Sequence, residues 1–207
     1  MQDGKEHGII PAYVPNNIKL VIAPDSSSNS VEECAELAAR GIDVLILDHH
    51  ESDNPPSTAC VINNQLCDYP TKSLAGVGVV YKFCSYLDKL LNTSYVEDLV
   101  DLVALGCIAD MVSLQDFETA HLIRKGINKV KNPFFKAMVE KQAFSLKDGL
   151  TPFGIAFYIA PYINATIRVG TQDEKLILFE SMLETLAEDK IPSTKRGAKG
   201  EMETRVE

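Results

Sequence analysis

Three short stretches of the chain carry side chains suited to metal chemistry. Asp25 follows Leu20-Val21-Ile22-Ala23-Pro24. Asp48-His49-His50 follows Asp43-Val44-Leu45-Ile46-Leu47. Asp110 closes Gly106-Cys107-Ile108-Ala109-Asp110. Carboxylates with neutral imidazoles, and no thiolates, suit manganese or magnesium better than structural zinc. Such a site would activate a water and clamp a phosphoryl group. Each stretch alone has an ordinary reading: an acid opening a serine-rich turn, a histidine pair on a surface, an acid ending an apolar helix. Together they say more, because independent accidents would have to bring all three to one sheet edge.

The elements that would position them can be read from the pattern. Residues 19–23 and 43–47 are continuous apolar runs, so they are expected to be buried strands. Between them Ser30 is a good N-cap for a helix over 31–40, with Glu32 and Glu33 in its first turn, and Gly41 ends it. Strand, helix, strand makes a βαβ unit, and continuous apolar strands imply a parallel sheet covered on both faces. Ligands of such sheets bind beyond the carboxyl ends of the strands, where Asp25 and Asp48-His49-His50 fall. Residues 59–63 fit a third strand. Residues 12–14 suggest a short extended piece. Helices are expected over 78–91, 95–109, 115–130, 133–141, 151–160 and 173–187. Residues 190–200 read as an exposed basic loop, and residues 202–207 as the start of a helix.

The 207 residues suit one domain, or one domain with a connector. No apolar run approaches the roughly 20 residues of a membrane span, and the polar N-terminus has no signal-peptide core. A net charge of −9 argues against gripping nucleic acid by bulk charge, although bound divalent ions reverse a local field. The five cysteines, Cys34, Cys60, Cys67, Cys84 and Cys107, are odd in number and lack CxxC spacing. They read as reduced core residues of a cytoplasmic protein.

Asp48-His49-His50 after an apolar strand resembles the signature of the DHH phosphoesterase family. Four further segments, in order, resemble its RecJ branch of single-stranded-DNA exonucleases. They are Leu20-Val21-Ile22-Ala23-Pro24-Asp25, Ser73-Leu74-Ala75-Gly76-Val77-Gly78-Val79-Val80-Tyr81-Lys82, Ile108-Ala109-Asp110-Met111-Val112-Ser113-Leu114 and Ala160-Pro161-Tyr162-Ile163-Asn164-Ala165-Thr166-Ile167-Arg168. The serine-rich turn and the Ser-Thr-Lys-Arg-Gly tail resemble phage-encoded versions. The resemblance spans residues 18–185.

The resemblance implies an α/β fold, a parallel β-sheet flanked by helices, followed by a helical segment. It implies manganese or magnesium bound by Asp25, His49 and Asp110. His50 would face the scissile phosphate and Asp48 would support the histidines. Asn164 and Arg168 would lie near the substrate phosphate, and Gly76 and Gly78 would allow close backbone approach. Where the family motif usually has Arg, this sequence has Tyr162. The implied activity is 5′-to-3′ hydrolysis of single-stranded DNA in repair or recombination, with a single-strand-binding protein or other replication proteins as partners and no membrane. Lys195 and Arg196 would track the DNA backbone or form a solvated linker. The alternatives are a phosphodiesterase of short oligonucleotides or cyclic dinucleotides, a pyrophosphatase, or a non-catalytic scaffold binding replication partners. The expected division is a DHH domain over 1–185 and a basic connector over 186–207. The family's Asp-x-Asp motif and C-terminal DHH-associated domain are not found here, so these 207 residues alone are expected to be weakly active or inactive.

Overall fold

The structure, a computed structural model, describes residues 8–147, 149–193 and 200–206. The chain forms two compact units: Met1–Glu97 with Val112–His121, and Asp98–Met111 with Leu122–Glu207. The fold is α/β, a parallel sheet with flanking helices and a helical segment later in the chain.

In the first unit, β1 (Leu20–Pro24), α1 (Val31–Ala39), β2 (Asp43–Asp48) and β3 (Cys60–Asn63) lead into α2 (Gly76–Leu91). The sheet order is β1-β2-β3, with both pairs parallel. β2 is central and is buried along most of its length. Val44 and Ile46 pack with Ala23, Cys34, Leu37 and Ile42 in one core cluster under α1. α2 packs against β2 and β1. It ends at Asn92, which takes the left-handed conformation at φ 55°. Residues 112–121 join this unit through side chains. Glu118 accepts hydrogen bonds from Tyr69 Oη (2.8 Å) and Lys82 Nζ (2.7 Å), and Ser73 Oγ donates to Asp116.

The second unit is helical: α3 (Val100–Ala109), α5 (Pro133–Lys141), α6 (Pro152–Tyr158), α7 (Ala160–Val169) and α8 (Gln172–Met182). α4 (Phe117–Ile127) begins in the first unit's segment and ends in this one. α3 is apolar on all sides, so it is buried against α6 and α7. Asn132 caps α5, accepting from the N–H groups of Phe134 and Phe135, and Pro133 occupies the first helical position. Buried Asp101 accepts from the N–H groups of Lys131 and Asn132, both at 2.7 Å, and ties that cap to α3. Thr171 and Glu174 form a capping box at the start of α8.

Several expectations are corrected. Residues 12–13 are not extended; Pro11–Tyr13 is a 3-10 helix, as proline at a first turn favours, and only Val14 after it is extended. β1 is not covered on both faces: Leu20 is 49% and Ile22 54% exposed, and among the described residues β1 pairs with β2 alone. Ser30 stands at the N-cap of α1 but makes no side-chain capping bond. Residues 95–109 divide into a 3-10 turn (Tyr95–Leu99) and α3. Residues 160–169 form a helix that the apolar pattern did not announce. Residues 202–204 are strand, not helix: β4 (Lys190–Pro192) pairs antiparallel with β5 (Met202–Thr204). Cys34 and Cys107 are buried, Cys84 is half-buried, and Cys60 and Cys67 are exposed rather than in the core. No helix among the described residues is long and apolar enough to cross a membrane.

Candidate metal centre

Asp25, Asp48, His49 and His50 meet at the carboxyl edge of the sheet, each offering a ligand atom within 4.8 Å of the others'. The register explains the meeting. Pro24 pairs with Leu47, and the Asp25 N–H extends the ladder to the Leu47 carbonyl at 2.8 Å. Asp25 then turns sharply out of the strand, with φ 57°, and Ser27 follows at φ 79°. Both are left-handed conformations for residues with a Cβ, so this turn is held by its surroundings. The turn leaves the Asp25 side chain exposed and places its Oδ1 3.2 Å from His49 Nε2.

Asp48 is the opposite case. Its side chain is 1% exposed and crowded with donors. Oδ1 receives the His49 N–H at 2.8 Å and His50 Nδ1 at 2.7 Å; Oδ2 receives the Ser28 N–H at 3.1 Å. Burial alone would raise its pKa, but hydrogen bonds from Ser28, His50 and His49 outweigh that, and the net shift is downward. An ionised Asp48 makes His50 Nδ1 the donor of the bond between them. Asp48 therefore orients ligands rather than competing for an ion. The two imidazoles are neighbours, with centroids 4.5 Å apart.

Gly76 begins α2 against this cluster. A Cβ built there would collide with Asp25 Oδ1 and lie 2.6 Å from its Cγ. Close approach at Gly76 is thus required by the Asp25 carboxylate itself. Gly78 differs: its Cβ would meet Leu74, just before α2, at 3.0 Å, a packing constraint at the start of the helix.

Asp110, Asn164 and Arg168 belong to the second unit. Asp110 is the exposed C-cap of α3 in the second unit, and Met111 after it has φ 55°. Asn164 and Arg168, four residues apart on α7, share one helix face in the same unit. Tyr162 is exposed on that helix. Lys195, Arg196 and Lys199 lie outside the described residues. The sequence reading missed Ser28 and Asn63, both buried beside Asp48. The available signal was that Asn63 ends the third apolar run at the same edge.

Residues 5–107 match the model described as the DHH family, N-terminal domain. Over 198 residues, 95% of this chain, the sequence is 41% identical to the SPbeta prophage-derived YorK of Bacillus subtilis (strain 168), which carries the name of a single-strand DNA-specific exonuclease. The chain spans 34% of that relative's length. It is 31% identical, over 78% of its length, to the single-stranded-DNA-specific exonuclease RecJ of the same organism, of which it spans 21%. Among solved structures, exonuclease RecJ bound to manganese superposes with a TM-score of 0.67 at 26% identity, covering 80% of this chain and 43% of that one. RecJ from Thermus thermophilus in complex with Mn2+ gives 0.65 at 27% identity, covering 80% and 25%.

Proposed function

We propose, from the premise that the chain belongs to the DHH family through residues 5–107, that it is the metal-binding part of a phosphodiesterase that degrades single-stranded DNA. One observation carries this: Asp25, His49 and His50 converge above an Asp48 whose oxygens are already occupied. One exposed carboxylate and two imidazoles, with no thiolate, fit manganese or magnesium. When bound, such an ion supplies Lewis acidity and an activated water. Asp25 and His49 would hold it, their ligand atoms already 3.2 Å apart. His50 would serve the substrate side through Nε2, with its ring held by Asp48. Asp110, Asn164 and Arg168 belong to the proposal as a further ligand and as phosphate contacts, arginine being suited to a bidentate grip. The names of the relatives support single-stranded DNA as the substrate.

Manganese titration followed by electron paramagnetic resonance is the test. The wild-type chain is expected to quench the free-ion signal. Asp25→Asn and His49→Ala are each expected to weaken binding by about tenfold or more. Any shortening of labelled single strands by the manganese-loaded protein, expected to be weak for these 207 residues alone, should exceed that of duplexes or dinucleotides, and a chelator should abolish it. A wild-type chain that leaves the free-manganese signal untouched refutes the reading.

A further inference from the structure

Asn63 ends β3 directly beside Asp48 in the parallel register, and only 4% of it is exposed. Its Nδ2 donates to Ser28 Oγ at 2.9 Å and to the His50 carbonyl oxygen at 2.8 Å. Its Oδ1 accepts from the Gln65 N–H at 2.8 Å. These partners fix which way the amide faces, because the His50 carbonyl can only accept and the Gln65 N–H can only donate. Ser28 donates its backbone N–H to Asp48 Oδ2 at 3.1 Å. Asp48 in turn takes His50 Nδ1. His50 is therefore held twice by a chain that starts at one carboxamide: at its backbone directly, and at its ring through Ser28 and Asp48.

We propose that Asn63 is a positioning residue for His50, setting the tautomer and direction of the imidazole through the Ser28–Asp48 relay and the carbonyl bond. This rests on the metal-dependent phosphodiesterase reading for its purpose, but not for its first readout. Asn63→Asp is nearly isosteric; it keeps the acceptor for Gln65 and removes both donors. The imidazole nitrogens of His50 are observed by 15N NMR on the metal-free full chain, manganese affinity by paramagnetic resonance, and folding by thermal melting. The expected result is a folded variant whose His50 resonances move away from the Nδ1–H tautomer and whose manganese affinity falls about tenfold. Should Asn63→Asp not fold, Ser28→Ala breaks only the relay and is expected to shift the same resonances by less. Unchanged His50 resonances in a folded variant overturn the proposal, whether or not the melting temperature falls. If the wild type binds no manganese, the metal reading fails while the His50 spectrum still decides the role of Asn63.

Discussion

Adding one methyl at Gly76 is the sharpest test of how the acid at the turn is placed. The Cβ of Gly76→Ala has no room beside the Asp25 carboxylate, and Asp25 is exposed on its other side. A Cβ at position 76 would also lie 2.7 Å from the Asp25 Cβ, which side-chain rotation does not move, so the turn carrying Asp25 is expected to shift while the helix stays formed, since alanine favours helix over glycine. Manganese affinity should fall about tenfold or more, and far-ultraviolet circular dichroism should stay unchanged. Gly78→Ala meets Leu74, at 3.0 Å from Cδ2 and 3.4 Å from Cβ, rather than Asp25, so it is expected to leave manganese affinity as it was. At this scale much of the site was legible. Asp25, Asp48, His49 and His50 were found because each terminates an apolar strand, and chain order alone then assigns them to one edge. Ser28 and Asn63 were not legible. A serine in a polar turn and an asparagine after a strand are ordinary residues, and their role arises only from the pairing of Asp48 with Asn63.

The interactions that attach residues 112–121 to α2 predict a pH dependence. Burial would raise the pKa of Glu118, but hydrogen bonds from Lys82, Tyr69 and Thr71 lower it overall. The Lys82 pKa is raised, first by its bond to Glu118. The depressed carboxyl contributes stability that is present above its unfolded pKa of about 4.3 and lost as pH falls through the folded value. The raised lysine contributes stability present below its unfolded pKa of about 10.4 and lost as pH rises through the folded one. Glu118→Gln should therefore cost most near neutral pH, about 1 kcal/mol for a partly exposed pair. The gap to wild type should close below about pH 4, followed by urea unfolding across the pH series. Elements were read with uneven success for physical reasons. The βαβ unit declares itself through contrast between apolar runs and a capped helix. The three-residue strands β4 and β5 are too short to show any periodicity. The helix α7 begins immediately after α6, so nothing polar separates the two.

At the scale of the sheet, β1 pairs with β2 alone among the described residues, with Leu20 and Ile22 exposed on it. Unpaired apolar edge strands invite association with other chains. Ile22→Lys is expected to leave thermal stability within about 0.5 kcal/mol, as for an exposed position, and to reduce concentration-dependent self-association in sedimentation velocity. Equal sedimentation of the two proteins would show that the edge is not sticky.

The spacing of the first unit's bonds along the chain also orders them in time. Contacts of short sequence separation lose less entropy on closing and form ahead of longer ones. The Ser28–Asp48 bond closes 20 residues and the Ser28–Asn63 bond 35. The Tyr69–Glu118 bond that fastens residues 112–121 closes 49. As the chain is synthesised, the carboxyl edge that holds Asp25, His49 and His50 is thus expected to set first, before the segment carrying Glu118 has emerged to close on it.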